Sequence, residues 1–182
     1  LKDGRPIMCA YAVTEPGAGS DVRSLTTKAE KRGDKWILNG SKMWITNAGV
    51  ADWYFVVAYT DAEKGYKGMS AFIVEKDWPG VIVGAKEKNL GQRASDTRDI
   101  TFENVEVPAE NLVGQEGAGW ILAMSAFDHT RPAVSCAAVG VAGANENLGH
   151  GWTEALVDSG SDEHVCPLHW LEGGRDITCL LY

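Results

Sequence analysis

Short apolar runs separated by turn residues fill the first 110 positions, and this pattern most constrains the fold. The runs lie at residues 7–13, 24–30, 36–38, 42–46, 53–59, 69–74, 81–83 and 98–105. Arg32-Gly33-Asp34, Asn39-Gly40 and Pro79-Gly80 mark turns between them. Asn-Gly is a strong two-residue hairpin signal, so we expect 36–38 and 42–46 to pair across it. The spacing predicts an antiparallel β-sandwich or barrel.

A helical period replaces the strand period after residue 117. Apolar residues recur at helical spacing, namely Trp120, Ala123, Met124 and Phe127, then Val134, Ala137, Ala138 and Val141. Pro132 lies between the two sets, and proline disrupts a helix interior. We therefore expect either two helices or one helix kinked at Pro132, with Thr130 or Arg131 capping the second.

Composition and charge exclude several classes of protein. The chain has 182 residues, 45% of them hydrophobic and 23% charged, which is typical of a soluble globular protein. No apolar run is long enough for a membrane span. The net charge of −8 comes mostly from residues 143–182, which hold seven acidic residues and one arginine, so a nucleic-acid partner is not expected.

The cysteines and the first residue give two further expectations. The four cysteines include no Cys-x-x-Cys pair, which favours free thiols in a reducing compartment. The chain opens at Leu1 rather than at methionine, so we expect a piece of a longer protein.

A glycine-rich turn follows the first apolar run. Residues 11–20 read Tyr-Ala-Val-Thr-Glu-Pro-Gly-Ala-Gly-Ser, and such a turn lets main-chain N–H groups approach an anion closely. Thr14 and Ser20 add hydroxyl groups. Residues 43–46, Met-Trp-Ile-Thr, add a flat aromatic ring. Together they suggest a nucleotide-like ligand with a planar ring, although each stretch alone is more often an ordinary turn or core strand.

Five motifs in a fixed order carry a family resemblance. They are residues 11–21, residues 42–47 (Lys-Met-Trp-Ile-Thr-Asn), residues 89–97, residues 102–108 and residues 127–132 (Phe-Asp-His-Thr-Arg-Pro). This series resembles the acyl-CoA dehydrogenases, and its last motif is most similar to the medium-chain members. The resemblance ends near Val141. It implies the antiparallel middle β-domain of such an enzyme and the start of its C-terminal helical region.

The same resemblance implies FAD as the cofactor and assigns residues to it. Main-chain groups of Val13 and Thr14 would bond the ring edge, Trp44 would cover one ring face, and the Thr46 hydroxyl would reach toward N5. Donors near the ring would stabilise the negative charge of its reduced form. The implied cofactor residues are Tyr11, Ala12, Val13, Thr14, Glu15, Pro16, Gly17, Ala18, Gly19, Ser20, Trp44, Ile45 and Thr46.

The substrate implied by the resemblance is an acyl-CoA thioester. The implied contacts are Ser20, Asp128, His129, Thr130 and Arg131, because the 128–131 segment matches the family's coenzyme A contact. Arg131 suits phosphate or adenine through its charge and planarity. The other interpretation of this segment is a polar helix end. His129 stands where close relatives commonly have lysine.

No catalytic residue is assigned. The family's base is a carboxylate, which some members place at the position of Thr130 and most place on a helix that this chain lacks. A threonine hydroxyl is too weak a base without an activator. We therefore expect the isolated chain to be inactive, although its parent would perform FAD-dependent α,β-dehydrogenation of a medium-chain acyl-CoA in fatty-acid β-oxidation.

The resemblance also implies partners and compartment for that parent. They are electron-transfer flavoprotein as electron acceptor, a homotetramer, and the mitochondrial matrix in a eukaryote or the cytoplasm in a bacterium. Two other functions remain open at this stage. One is an inactive truncated isoform or remnant serving as a folded interaction module. The other is a family member acting on a non-CoA substrate such as a nitroalkane.

Three segments are expected: a flavin-binding β-domain at 1–110, a helical segment at 111–142 and an atypical tail at 143–182. The glycine-punctuated tail lacks the family's long amphipathic helix, so it is either irregular sequence foreign to the family or a divergent extension. Its histidines and cysteines, His164, Cys166, His169 and Cys179, match no strong zinc spacing, and no metal site is assigned.

Overall fold

The computed structural model describes residues 7–147. Their strands are β1 (Cys9–Ala12), β2 (Lys28–Arg32), β3 (Lys35–Thr46), β4 (Trp53–Tyr59), β5 (Met69–Glu75), β6 (Val81–Val83) and β7 (Thr97–Pro108), and their helix is α1 (Gly119–Asn147). Short 3-10 turns lie at Val22–Ser24, Ala62–Gly68 and Ala109–Asn111. The described residues fall into two compact units, one of residues 7–88 and 92–124 and one of residues 89–91 and 125–147.

The first unit is built on one seven-stranded sheet. Its strand order is β1-β4-β2-β3-β7-β6, and β5 pairs with the other edge of β4. The β2–β3, β3–β7, β4–β5 and β6–β7 pairs are antiparallel, which confirms the predicted mainly antiparallel β fold. The β1–β4 pair is parallel, with Cys9 opposite Trp53. A long connection separates these two strands, so no tight hairpin forces them to be antiparallel.

The predicted hairpin at Asn39-Gly40 is wrong. The hairpin lies at the predicted Arg32-Gly33-Asp34 turn, where the φ of Gly33 is 64°, and β3 then runs unbroken through Gly40. The β3–β7 register shifts between Leu38 and Gly40, which marks a bulge. A Cβ on Gly40 would lie 2.6 Å from the Cα of Thr27. The glycine therefore serves a close strand approach rather than a turn.

The core of the first unit is formed mainly by side chains of β3, β4, β5 and β7. Its fully buried side chains include Leu38, Tyr54, Val56, Phe72, Val74, Ile100 and Val105. The apolar runs predicted as strands at 53–59, 69–74, 81–83 and 98–105 are all strands in the structure. This packed sheet gives the loops at its edges a rigid support.

The C-terminal side holds one helix among residues 7–147, which is one of the two predicted alternatives. Helix α1 continues through Pro132, so the predicted cap at Thr130 or Arg131 is wrong. The Thr130 hydroxyl instead donates to the carbonyl of Ala126 at 3.1 Å, inside the helix. The described part of α1 extends past the predicted limit at residue 142, to Asn147.

The apolar face predicted for the later part of α1 is largely exposed. In the described part of the second unit, Val134 is 54% exposed, Ala137 and Val141 are exposed as well, and Ala138 is half-buried. A helical period identifies which residues share a face but not what covers it. No helix within residues 7–147 combines the length and the apolar character that a membrane crossing requires.

Candidate functional site

The two motif stretches, residues 11–20 and 43–46, are direct neighbours in the first unit. The main-chain N–H of Met43 donates to the carbonyl of Thr14 at 2.9 Å. Strand β1 leads into the first stretch and the end of β3 carries the second. The structure thus brings together the glycine-rich turn and the aromatic residue that were 30 positions apart in sequence.

The glycine-rich turn is closed by a reciprocal pair of hydrogen bonds. The N–H of Glu15 donates to the carbonyl of Ala18, and the N–H of Ala18 donates to the carbonyl of Glu15, both at 3.0 Å. Pro16 and Gly17 form the exposed tip. A Cβ added at Gly17 or Gly19 would meet no atom within 4 Å, and neither residue has a left-handed φ. Nothing in the described part of the chain therefore requires glycine at these positions.

A buried ion pair lies under the turn. The Nζ of Lys42 donates to Glu15 Oε1 at 2.8 Å, to the carbonyl of Val13 at 3.0 Å and to the carbonyl of Val57 at 2.7 Å. The side chains of Lys42 and Glu15 are 0% and 1% exposed. Sequence reasoning missed Lys42, because a lysine among alternating strand residues reads as a solvent-facing side chain.

The Glu15 carboxylate is fully occupied by protein donors. Oε2 accepts from the N–H and the hydroxyl of Thr26 at 2.6 and 2.7 Å, and Oε1 accepts from the N–H of Thr27 at 3.1 Å. Burial alone would raise the pKa of Glu15, but the Lys42 ammonium and these donors lower it overall. Burial lowers the pKa of Lys42 to about 8, against the opposing effect of Glu15.

Trp44 has an unusual backbone conformation. Its φ is 60°, in the left-handed region that non-glycine residues seldom adopt, and Asn47 follows with a φ of 65°. The β3–β7 register shifts between Lys42 and Ile45, so Trp44 lies in a bulge. Bulges redirect side chains and are frequent beside functional sites. The indole is half-buried and Thr46 is exposed.

Several predicted cofactor residues direct their side chains into the protein. These buried residues are Ala12, Val13, Glu15, Ala18 and Ile45. Contact through their side chains is therefore excluded, and a ligand can reach these residues only through main-chain atoms. Thr14, Pro16, Gly17, Gly19, Ser20, Trp44 and Thr46 are exposed or half-buried.

Tyr11 links the start of the turn to the helix. Its ring stacks on Phe55 of β4 with centroids 5.4 Å apart and planes at 8°. Its hydroxyl donates to the carbonyl of Ala123 in α1 at 3.0 Å. Burial raises the pKa of Tyr11 above its usual value. Tyr11 therefore already has protein contacts on its ring and at its hydroxyl.

The loop of residues 91–97 is held by Asp96, whose carboxylate pairs with Arg98 at 2.9 Å and not with Arg93 of the same loop. The same carboxylate accepts from the N–H of Gly49 at 2.7 Å. Burial would raise the pKa of Asp96, but the Gly49 N–H and Arg98 lower it overall. The loop is thereby fastened to the segment that follows Thr46.

The predicted coenzyme A segment lies on α1 in the second unit. Asp128, His129, Thr130 and Arg131 are all exposed. Arg131 pairs with Asp128 at 2.7 Å, and its guanidinium lies 6.0 Å from the ring centroid of Phe127. His129 Nδ1 lies 2.7 Å from the carbonyl of Ser125. The arginine is accessible, and its present partner is an exposed carboxylate that a ligand anion can replace.

Metal-binding clusters are absent from residues 7–147, where no group of three or more His, Cys, Asp or Glu side chains converges. Cys9 and Cys136 are free thiols. The tail residues considered for zinc, His164, Cys166, His169 and Cys179, lie outside the described residues.

A family model and solved structures match this chain. The model described as "Acyl-CoA dehydrogenase, middle domain" matches residues 10–105. A probable medium-chain specific acyl-CoA dehydrogenase 2, mitochondrial, from Caenorhabditis briggsae is 55% identical over 139 residues, which are 75% of this chain and 34% of that relative. The chain thus spans about a third of that relative's length.

Two solved structures share the fold at substantial identity. Butyryl-CoA dehydrogenase from Megasphaera elsdenii has a TM-score of 0.72 at 45% identity, covering 75% of this chain and 36% of its own. An acyl-CoA dehydrogenase from Bacillus anthracis complexed with FAD has a TM-score of 0.68 at 42% identity, covering 73% of this chain and 22% of its own.

Proposed function

The chain belongs to the acyl-CoA dehydrogenase family through its middle domain, and from this membership we propose that residues 11–20 and 43–46 form one wall of an FAD site. The proposal covers the cofactor contacts of this chain and, for the longer protein to which it corresponds, FAD-dependent α,β-dehydrogenation of an acyl-CoA. When bound, FAD supplies the hydride acceptor for that reaction.

The observation that carries the proposal is the hydrogen bond between residues 11–20 and residues 43–46, next to glycines with free space around them. Met43 and Thr14 hold the stretches together, while Gly17 and Gly19 leave space that no side chain of residues 7–147 occupies. A large anionic cofactor explains small residues at an exposed turn, because bare main chain can approach phosphate closely. Trp44 follows Met43 directly and lies in the bulge, so an aromatic residue adjoins the same hydrogen bond.

The residues present fit FAD in their chemistry. The exposed hydroxyls of Ser20 and Thr46 and the half-buried one of Thr14 offer hydrogen bonds, and Trp44 offers a stacking surface. The buried positions Ala12, Val13, Glu15, Ala18 and Ile45 support this wall from within. Their part is to hold the main chain in place.

For the substrate we propose a medium-chain acyl-CoA, with Ser20 and residues 128–131 as contacts. The name of the 55% identical relative supports the chain-length class, and the exposed guanidinium of Arg131 supports phosphate binding. The Thr130 hydroxyl donates to the carbonyls of Ala126 and Phe127 in its own helix, and a threonine hydroxyl is too weak a base without an activator, so it does not remove a proton. Catalysis in the longer protein therefore needs a carboxylate from elsewhere.

The same membership supports electron-transfer flavoprotein as electron acceptor and a homotetramer for the longer protein. The compartment we propose is the mitochondrial matrix for a eukaryotic source and the cytoplasm for a bacterial one. These assignments concern the longer protein, since the chain matches only about a third of such relatives.

Titration of the purified chain with FAD tests the cofactor proposal. We expect saturable binding, a structured flavin absorption band and loss of binding in Trp44→Ala with Ser20→Ala. Failure to retain FAD at high micromolar concentration, in a chain that is folded by circular dichroism, would refute the proposal and favour a remnant that binds nothing. Octanoyl-CoA dependent dye reduction after adding the helical region in trans tests the substrate class.

A further inference from the structure

We propose that Lys42 and Glu15 act together as positioning residues. They hold residues 11–20 and residues 43–46, the two stretches of the proposed FAD site, in fixed positions relative to each other. This inference rests on the proposed function of residues 11–20 and 43–46. Neither side chain is accessible to a ligand, since both are buried. They act through the main chain that they fix.

Lys42 connects three separate pieces of the first unit through one ammonium group. Its three hydrogen bonds reach Val13 at the entry to the turn, Glu15 within the turn, and Val57 on β4. An ammonium has three donors, so all of its hydrogen-bonding capacity is used. The turn is thereby joined to β3 and β4 at a single point.

Glu15 fixes the same turn from its other side. Its carboxylate accepts from the main-chain N–H groups of Thr26 and Thr27, just before β2, and from the Thr26 hydroxyl. The turn tip at Pro16 and Gly17 has exposed surface and no such supports of its own. Its position therefore depends on the two residues buried beneath it.

Lys42 also sets the direction of the aromatic residue. It is the last residue in register with β7, opposite Ile100, before the shift that contains Trp44. Anchoring Lys42 fixes the strand where the left-handed backbone of Trp44 begins. The ion pair consequently controls both the turn and the indole.

A buried ion pair suits positioning better than stabilisation. Desolvation of two charges offsets most of their attraction, so well-packed apolar replacements are often as stable. Directional hydrogen bonds, by contrast, specify where each carbonyl and carboxylate lies. Apolar side chains of the same volume would fill the space without specifying the geometry.

The test compares Lys42→Met, the neutral double variant Glu15→Gln/Lys42→Met, and the control Lys35→Met in the full chain. Lys35 lies on the same strand in an exposed pair with Glu106, so it controls for loss of a strand lysine. We expect Lys42→Met to melt lower and bind FAD at least tenfold more weakly. The double variant should recover most of the melting temperature but not the affinity, and Lys35→Met should match the wild type in both.

Two results would overturn the inference. One is FAD affinity that returns to within twofold of wild type when the double variant regains its stability. The other is an unchanged rate of amide hydrogen exchange at residues 11–20 and 43–46 in the absence of FAD, because we expect exchange there to be faster in both Lys42 variants. Unchanged exchange refutes the positioning role even if the wild type fails to bind FAD. Failure of wild-type binding alone refutes the proposed function and leaves the exchange result to decide this inference.

Discussion

The carbonyl of Thr14 accepts a 2.9 Å hydrogen bond from the N–H of Met43, the residue immediately before Trp44. The bond joins the glycine-rich turn of residues 11–20 to the bulge of β3, and its two residues lie 29 positions apart in sequence. Displacement of either stretch therefore moves the other. Variants at and near these positions separate what this arrangement contributes to stability from what it contributes to FAD binding.

Alanine at Gly17 or Gly19 should separate stability from FAD affinity. No atom lies within 4 Å of an added Cβ and neither φ is left-handed, so we expect stability equal to wild type or higher by up to about 1 kcal/mol. FAD affinity should fall at least tenfold, because the methyl group occupies the space needed for close approach. Chemical denaturation and FAD titration measure the two effects.

Gly40→Ala is the matched control for those variants. Its Cβ would collide with Thr27, and its φ of 145° is strained for alanine. We expect a loss of about 2 kcal/mol or more in the free energy of unfolding. Equal stability in Gly40→Ala and Gly17→Ala would contradict the distinction drawn between a bulge glycine and an exposed-turn glycine.

Trp44→Gly should destabilise the chain far less than Trp36→Ala. Glycine relieves a left-handed backbone strain of about 1 kcal/mol, which offsets part of the lost contact of a half-buried ring. Trp36 is buried against Phe72, with centroids 5.5 Å apart, and its truncation should cost about 3–5 kcal/mol. Urea denaturation provides the comparison, and equal losses would show that the Trp44 ring is a core residue.

Acid stability should depend on Glu15. Its pKa in the folded chain lies below the ordinary 4.5, so its contribution is fully present above pH 4.5 and disappears as the pH falls through the lowered value. The facing charge, Lys42, stays protonated throughout this range because its pKa is about 8. The free energy of unfolding of Glu15→Gln should be lower than that of the wild type by about 3 kcal/mol at pH 7. Below pH 4.5 it should fall less steeply with pH than that of the wild type.

The comparison requires denaturation curves at several pH values between 3 and 7. The pKa of Asp96 is also lowered, but Asp96 lowers the free energy of unfolding in acid equally in both proteins. Its effect therefore cancels when the two free energies are subtracted. Parallel curves for wild type and Glu15→Gln would mean that the carboxylate does not exchange its proton during unfolding.

Tyr11→Phe should loosen the start of α1 while preserving β1. The change removes the hydrogen bond to the Ala123 carbonyl and keeps the ring stacked on Phe55. We expect a loss of about 1 kcal/mol and faster amide exchange near residues 119–124. Faster exchange confined to β1 instead would show that the hydroxyl does not secure the helix.

Much of the sheet is predictable because strands β4 and β5 are mainly apolar runs whose residues are largely buried. The Asn39-Gly40 error has a physical source. A glycine needed for the approach of Thr27 carries the same local signature as a glycine needed for a turn. Only the partner strand distinguishes the two.

The candidate site shows a similar division. The exposed turn and Trp44 belong to motifs that can be recognised by their residue types and their order in the chain. The sequence therefore predicted them as candidate site residues. The buried contact of Lys42 with Glu15 joins positions 27 apart, and the positive φ of Trp44 arises from the register shift against β7. Neither has a local signal, because each depends on tertiary neighbours.

The parallel pairing of β1 with β4 has a consequence for how the nascent chain matures. Strand β1 is synthesised before β4, so its hydrogen-bonding groups have no β4 partner until Trp53–Val56 have been made. Contacts between sequence-distant segments form slowly, and waiting strand edges invite aggregation. A nascent chain that stops before residue 53 would therefore expose β1 as an aggregation-prone segment. We expect a chaperone to bind the nascent chain during this interval.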